Sequence, residues 1–305
     1  MSRFFLIATL AITTSHLLFA DKPIDVFIVA GQSNAVGADA SAKELTKQPI
    51  DDEILLWWRT GDPPPDKHDS ISDGWQTLQA QHKGDPITPR SNKTRQWGNY
   101  TDTSGGFGPE ISFARTIALK QTTPIAIIKV AFSGTHVEGD WDPNEPAPDE
   151  TAPDEQDWRD SHGACYRQLT RDYHRATSEL TKRGFKPTTR AMLWVQGESD
   201  ANPEMAPRYE ANLTEMLDAL RTEFAAPRLI MLLALNTRFS DGKNPHIAAI
   251  VAAQQSLAQK SELAIYVDTD GATIANAAHF DAAGTIDVGQ RFAHAWLVFH
   301  DSANR

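Results

Sequence analysis

The sequence has a single cysteine, Cys165, among 305 residues, so no disulfide can form within the chain. Basic side chains are also scarce, since 29 Lys and Arg stand against 40 Asp and Glu and give a formal net charge of −11. Surfaces that bind nucleic acid or anionic lipid need clustered Lys and Arg, so this balance argues against both kinds of partner. Neither an HExxH motif nor paired Cys/His spacing is present, and we therefore predict no metal and no cofactor.

Long hydrophobic runs are also missing after the N-terminus, where no stretch approaches the eighteen apolar residues of a membrane-spanning helix. The first twenty residues differ, because Arg3 precedes an uncharged segment from Phe4 to Ala20. This pattern is typical of a secretory signal peptide that is cleaved near Ala20. We therefore expect a secreted or periplasmic protein with no membrane association after cleavage, and an uncleaved anchor is the alternative.

Short apolar runs alternate with amphipathic patterns over most of the chain. The predicted strands are Asp25–Ala30, Glu53–Trp58, Ile125–Ala131, Ala191–Val195, Leu229–Leu235 and Ala264–Val267. Apolar residues three and four positions apart predict helices near 109–120, 166–180, 205–224, 247–257 and 286–299. Because unbroken Ile, Val and Leu runs suit parallel strands that are buried on both faces, the alternation predicts one doubly wound α/β domain over 21–305.

Two stretches of this domain, 59–106 and 138–160, are polar and contain prolines, and we predict long loops there. The second stretch contains the acidic run EPAPDETAPDEQD. This run lacks the spacing of an EF-hand, so we interpret it as a solvated loop and not as a calcium site.

Polar residues that could support chemistry come after several of the predicted strands. Ser33 comes after the first strand, Gly134 after the third, and Gln196 and Glu198 after the fourth, while His279 lies between the last strand and the last helix. Alone, each residue could cap a helix or form a turn. Because ligand-binding groups of open α/β sheets collect at the carboxyl ends of the strands, we expect all five at one edge. Together they supply the nucleophile, base, carboxylate and donors that acyl transfer needs.

Several segments together resemble the SGNH/GDSL hydrolase superfamily. They are GQSN at 31–34, GFGPEISFA at 106–114, SGTHVEGDW at 133–141, QGESD at 196–200 and the late His279–Phe280 pair. Within the superfamily, the match is to carbohydrate esterase family six and to the sialate O-acetylesterase-like domain. The resemblance implies a flavodoxin-like, three-layer α/β/α sandwich around a five-stranded, mostly parallel sheet. It also implies serine-dependent removal of acetyl groups from sugar hydroxyls without a metal.

The resemblance assigns roles by position. Ser33 corresponds to the nucleophile and His279 to the base. The backbone N–H groups of Ser33 and Gly134 and the side chain of Gln196 correspond to the oxyanion hole, which stabilises the tetrahedral intermediate.

One position departs from the family pattern. Related hydrolases often have an aspartate three residues before the histidine, but this sequence has the neutral Asn276 there. An asparagine accepts a hydrogen bond from an imidazole but does little to stabilise an imidazolium. We therefore predict that Glu198 orients His279, with Asn276, Asp281 or Asp270 as substitutes.

The implied substrate is an acetylated carbohydrate. Since the chain is acidic, we favour a neutral xylan-like glycan over a strongly anionic polymer, and sialic acid stays an option. The departure at Asn276 also fits a non-catalytic carbohydrate-binding protein on the same fold. A lipid or thioester hydrolase is the other alternative, although no long apolar lid segment favours it.

Overall fold

The computed structural model describes residues 22–61, 70–84, 99–146 and 162–303; the predicted signal segment 1–20 and parts of both predicted loops lie outside these ranges. The strands are β1 (Lys22–Gly31), β2 (Leu55–Gly61), β3 (Ser70–Ile71), β4 (Gln76–Thr77), β5 (Ile125–Phe132), β6 (Phe185–Val195), β7 (Ile230–Ala234) and β8 (Ala264–Tyr266). The α-helices are α1 (Ser33–Val36), α2 (Glu110–Ala118), α3 (Val137–Asp140), α4 (Ala164–Lys182), α5 (Tyr209–Glu223), α6 (Ile247–Lys260) and α7 (Ala282–Ala303). Short 3₁₀ turns span Ala42–Glu44, Pro49–Glu53, Ala206–Arg208 and Phe239–Gly242.

The strands form one sheet in the order β3-β2-β5-β1-β6-β7-β8, and β4 also pairs with β2. Neighbouring strands from β2 to β8 along this order run parallel. The predicted α/β/α class with a mostly parallel sheet is confirmed. The sheet has more than the five strands expected, because β2 joins the parallel set and the two-residue strands β3 and β4 fold back onto it in antiparallel pairs.

Helices cover both faces of the sheet. On β1, the side chains of Ile24, Val26 and Ile28 belong to the core that includes α4, α5 and α6. The side chains of Phe27 and Val29 belong to the core that includes α2 and α7. Successive side chains of a strand point to opposite faces, so a strand buried on both sides has no polar alternation. This is why the unbroken hydrophobic run of β1 correctly predicted a sheet that is covered by helices on both faces.

The parallel strands end at a common edge, and the segments after β1, β5, β6 and β7 meet there. This carboxyl edge is the expected position of a ligand site in an open α/β sheet. Within the described ranges, no helix is both long enough and apolar enough to cross a membrane.

Candidate active site

A sharp turn between β1 and α1 presents Ser33 at the carboxyl edge. Gly31 has a φ of +133°, and a Cβ there would lie 2.2 Å from the carbonyl oxygen of Val195 on β6. Gly37 ends α1 with a φ of +82°, and a Cβ there would lie 1.8 Å from the carbonyl oxygen of Phe107. Only glycine combines these angles with such close backbone approach. The two glycines therefore fix the one-turn helix that begins with Ser33.

Ser33 and His279 line the same cavity, which has a volume of about 280 Å³. Within the described ranges, the cavity is lined by Gln32, Ser33, Ser133, Gly134, Ser199, Phe239, Ala278 and His279. Most of these side chains are small and uncharged. No hydrogen bond joins the Ser33 hydroxyl to the imidazole among the described residues, and such catalytic bonds often tighten only when substrate binds.

A larger cavity of about 610 Å³ lies at the opposite edge of the sheet, beside the first residues of β6 and β7. Among the residues that the structure describes, its lining includes His300 but neither serine nor cysteine. Size alone therefore does not locate the chemistry, and we assign the candidate active site to the smaller cavity, which brings a serine and a histidine together.

The carboxylate that contacts His279 belongs to Asp39. His279 Nδ1 lies 2.6 Å from Asp39 Oδ2. This hydrogen bond, supported by others from Thr101 and Asn276, lowers the pKa of Asp39 to about 2 although partial burial opposes it. An ionised carboxylate can only accept, so the imidazole proton lies on Nδ1. Nε2 is then the nitrogen that can take a proton from the serine.

Asn276 supports this pair. Its Nδ2 donates to Asp39 Oδ2 at 2.7 Å. Its Oδ1 accepts from the backbone N–H groups of Ala278 and His279, at 2.9 and 3.1 Å. Asn276 thus joins the Asp39 carboxylate to the loop that contains Ala278 and His279, which we call the histidine loop. The Asn276 side chain does not bond to the imidazole.

Glu198 is buried behind the histidine loop and bonds to asparagines. Its Oε1 accepts from Asn34 Nδ2 at 2.9 Å and from the backbone N–H of Asn236 at 2.8 Å. Both asparagine side chains also donate to the carbonyl oxygen of Ala278, at 3.1 Å each. Burial raises the pKa of Glu198, and its Oε2 has no hydrogen-bond partner in the part of the chain that the structure describes. Glu198 therefore holds Asn34 and Asn236, which in turn bind the carbonyl oxygen of Ala278 next to His279; we call this set of hydrogen bonds the clamp on the histidine loop. Glu198 itself makes no hydrogen bond to the imidazole ring.

The other two carboxylates considered from the sequence lie elsewhere. Asp281 accepts from Thr273 Oγ1 at 2.6 Å and from the backbone N–H of Gly284 at 2.7 Å, at the start of α7. Asp270 is exposed, and its carbonyl oxygen accepts from Arg291. Asp281 is thus a helix-capping residue, and neither carboxylate bonds to His279.

Gln196 lies behind the cavity wall. Its Nε2 donates to the carbonyl oxygen of Thr135 at 3.0 Å and to Asp200 Oδ2 at 2.5 Å, and its Oε1 accepts from Tyr209 at 3.1 Å. Asp200 also accepts from the backbone N–H of Val137. The Gln196 side chain is fully buried and does not line the cavity, whereas Ser33 and Gly134 do. Gln196 and Asp200 therefore hold the segment after β5 that contains Gly134.

Asp200 makes the stability of this support depend on pH. Burial, reinforced by the nearby Asp140, raises the pKa of Asp200 from 3.8 to about 7. A carboxyl group whose pKa is raised by folding opposes folding as the pH rises from about 4 to about 7. The melting temperature of Asp200→Asn should therefore rise relative to that of wild type as the pH increases. We expect the difference between the two melting temperatures to grow by roughly 5 °C from pH 4 to pH 8.

Thermal denaturation of both proteins at several pH values measures this difference. A melting-temperature difference that is the same at pH 4 and at pH 8 would contradict the assignment to Asp200.

Sequence reasoning missed two residues of the cavity region. Asp39 lies six positions after Ser33, in the segment GQSNAVGADA, and its only signal was a carboxylate close to the nucleophile motif. Gln32 lies inside the GQSN motif itself, in which only Ser33 has a predicted catalytic role. Neither residue could be assigned a role without knowing what the end of β1 faces.

Comparison with known proteins supports the fold and identifies the family. The chain is similar to a structure from Arabidopsis thaliana with 20% identity and a TM-score of 0.59, over 90% of this chain and 98% of the other. It is also similar to the structure of NanS with 17% identity and a TM-score of 0.58, over 92% of this chain and 99% of the other. Among curated proteins, no sequence matches the chain.

A family profile described as "carbohydrate esterase, sialic acid-specific acetylesterase" matches residues 23–298. The match covers both the segment that contains Ser33 and the loop that contains His279. The chain therefore belongs to this family of carbohydrate esterases, which makes it a carboxylic-ester hydrolase with a carbohydrate O-acetylesterase role.

Proposed function

We propose that the protein is a serine carbohydrate acetylesterase in which Ser33, His279 and Asp39 form the catalytic triad. The observation behind this proposal is that Ser33 and His279 line one cavity while His279 Nδ1 is bonded to an ionised Asp39. Nucleophile, base and orienting carboxylate are the three parts of such a triad, and they are recognised by geometry and not by sequence order. This assignment replaces Glu198 with Asp39 as the orienting acid.

The reaction proceeds in two halves. Ser33 Oγ attacks the acetyl carbonyl carbon while His279 Nε2 takes the serine proton. When the tetrahedral intermediate collapses, the bond to the sugar oxygen breaks and His279 protonates that oxygen. Water then attacks the acetyl-serine with His279 again as the base, and acetate leaves as Ser33 recovers its proton. Asp39 stabilises the imidazolium that forms in each half.

Gln196 and Glu198 act through other groups in this scheme. Gln196 keeps the segment with Gly134 in place, and Gly134 stays the predicted second backbone donor beside the N–H of Ser33. Glu198 keeps the histidine loop in place through Asn34 and Asn236. Their loss should disturb geometry without removing a reacting group.

The cavity supports an acetyl group as the acyl part of the substrate. A volume of about 280 Å³, lined mostly by small uncharged side chains, suits a short acyl chain and leaves little room for a lipid tail. With the acidic net charge of −11, this favours a neutral, xylan-like glycan, and sialosides are the second candidate because of the family description. The signal-like segment 1–20 supports export to the cell envelope or exterior, where polymeric glycans are available.

Acetate release from acetylated xylan, acetylated pectin and O-acetylated sialosides tests the substrate. We expect the largest kcat/KM for xylan and the smallest for the anionic pectin. Binding of these glycans without any acetate release would favour a carbohydrate-binding protein. A long-chain lipid ester and a thioester are assayed in parallel. A larger kcat/KM for either of them than for the acetylated glycans would exclude the carbohydrate assignment.

A further inference from the structure

A buried ion pair lies against the helix that begins with Ser33. Lys129 lies near the middle of β5, and its side chain points to the same face of the sheet as those of Ile127 and Ala131, which belong to the core with α2 and α7. Glu110 is the first residue of α2. The Lys129 and Glu110 side chains are both 0% exposed, and Nζ lies 2.9 Å from Oε1. Neither residue takes part in the proposed reaction.

Stability is a weak reason for burying such a pair in a hydrophobic core. Both charges lose their hydration on burial, and apolar side chains of similar volume often give a fold that is equally stable or more stable. A buried ion pair can still fix one arrangement of the groups that it binds. The partners of the lysine therefore indicate what the pair does.

Lys129 directs its ammonium group to three different segments. Nζ donates to the carbonyl oxygen of Val36 at 2.8 Å, to Gln81 Oε1 at 2.8 Å and to Glu110 Oε1 at 2.9 Å. Val36 is the last residue of α1, so its carbonyl oxygen has no partner inside that helix. Gln81 is held in turn by Tyr100, whose hydroxyl donates to the same Oε1 at 2.7 Å. Lys129 thus joins the C-terminal end of α1 to a buried hydrogen-bond network.

The loop before α2 packs against the same helix. The N–H of Gly108 donates to Glu110 Oε1 at 2.8 Å. A Cβ at Gly108 would lie 2.5 Å from the carbonyl oxygen of Ala35 in α1 and 2.8 Å from Lys129 Nζ. This loop belongs to the segment GFGPEISFA at 106–114, which contributes no reacting group. The loop and the ion pair together form a close-fitting support for α1.

We propose that the Lys129–Glu110 pair positions Ser33 for attack on the acetyl group by holding the C-terminal end of α1. This inference rests on the proposed serine mechanism, and the pair acts through α1 without touching the substrate. A displacement of about 1 Å at a reacting group can cost about 10²-fold in rate. Loss of the support should therefore lower kcat and leave KM nearly unchanged.

A double substitution tests the proposal without leaving one charge buried alone. Lys129→Met combined with Glu110→Gln replaces the pair with neutral side chains of similar size. It removes the bond to Val36 and keeps an oxygen at position 110 for the N–H of Gly108. We expect a melting temperature within roughly 5 °C of wild type. For 4-nitrophenyl acetate, kcat should fall by about 10–100-fold, with KM changed by less than about threefold.

A second variant and a matched control accompany the double substitution. Gly108→Ala places a methyl group against the carbonyl oxygen of Ala35 and keeps both charges, so it should displace α1 and lower kcat in the same way. Arg115→Met combined with Asp51→Asn is the control. It removes another buried ion pair, which joins α2 to the 3₁₀ turn before β2, and should keep kcat within about threefold of wild type.

Fluorophosphonate labelling of Ser33 separates a displaced nucleophile from a partly unfolded sample. Displacement lowers the rate of labelling but leaves the final labelled fraction unchanged, whereas unfolding lowers the final fraction. We expect a slow rate and a complete final fraction for Gly108→Ala and for the double variant at Lys129 and Glu110. The control should match wild type in both measurements.

The inference is overturned if kcat and the labelling rate stay within about threefold of wild type in the double variant and in Gly108→Ala. A larger KM at unchanged kcat, or a loss of kcat that a lower final labelled fraction accounts for, also refutes it. If the double variant does not fold, Gly108→Ala decides by the same criteria. Ser33→Ala is assayed in parallel. An inactive Ser33→Ala beside unimpaired support variants refutes only the role of the pair, whereas an active Ser33→Ala refutes the serine mechanism itself.

Discussion

Replacing Ser33 with alanine is expected to lower kcat for acetate release by about 10⁴–10⁶-fold, because no acetyl-enzyme can form without the hydroxyl. The variant should fold normally. The backbone of the turn is held by Gly31, Gly37 and the N–H groups that bond to the Ser33 carbonyl oxygen, and alanine keeps all of these bonds. Measurement of acetate release, together with mass spectrometry after fluorophosphonate treatment, tests the expectation.

A matched control is Ser178→Ala, which removes an exposed hydroxyl from α4. This variant should keep wild-type turnover and should still be labelled at Ser33. Labelling of Ser33→Ala at another residue, or turnover close to wild type, would show that Ser33 is not the nucleophile.

Asp39→Asn is expected to lower kcat by about 10³–10⁴-fold, since a neutral amide cannot stabilise the imidazolium and can hold the ring in the wrong tautomer. The pKa of Asp39 is lowered to about 2, so the wild-type carboxylate stays ionised throughout the working pH range. Its stabilising contribution is present above the ordinary aspartate pKa of 3.8 and is lost only as the pH falls through about 2. Steady-state kinetics at neutral pH measures the effect.

Glu198→Gln is the informative comparison. Glutamine keeps an oxygen for Asn34 and for the N–H of Asn236, so the clamp on the histidine loop should persist. We expect a loss of less than about tenfold in kcat, because no reacting group is removed. If Glu198→Gln lost activity and Asp39→Asn kept it, Glu198 would be the orienting acid.

A double variant tests where the acid can be placed. Asp39→Asn combined with Asn276→Asp moves the carboxylate to position 276, three residues before His279. Asn276 already reaches Asp39 with its Nδ2 and holds the loop with its Oδ1. We expect the double variant to recover at least about tenfold in kcat over Asp39→Asn alone, because a carboxylate again lies near the imidazole.

The parallel sheet could be predicted because its strands are buried on both faces. Strands such as Asp25–Ala30 and Ile125–Ala131 show this as unbroken apolar runs, and the structure has β1 and β5 over them. The two-residue strands β3 and β4 have no periodic pattern to detect. They exist because the edge strand β2 offers free backbone hydrogen bonds, which is a property of the assembled sheet.

The sequence also did not show whether the tryptophans bind a ligand or pack in the core; four of them are Trp57, Trp58, Trp75 and Trp141. They lie in or beside segments with the composition of loops, but all of them are at most 6% exposed. Trp57 and Trp75 contact each other edge to face, and Trp141 contacts Trp194 in the same way. Their aromatic character was plain in the sequence, but only the packing decided that they stabilise the core.

The sequence by itself determined the layer architecture and the family, since hydrophobic patterning reflects the burial of each strand. It also determined the sheet edge at which a serine and a histidine meet, because the order of the motifs places polar residues at the strand ends. Only the tertiary structure decided which carboxylate faces the imidazole. Asp39 and His279 are 240 positions apart, and hydrogen bonds depend on distances of about 3 Å that no spacing along the chain encodes.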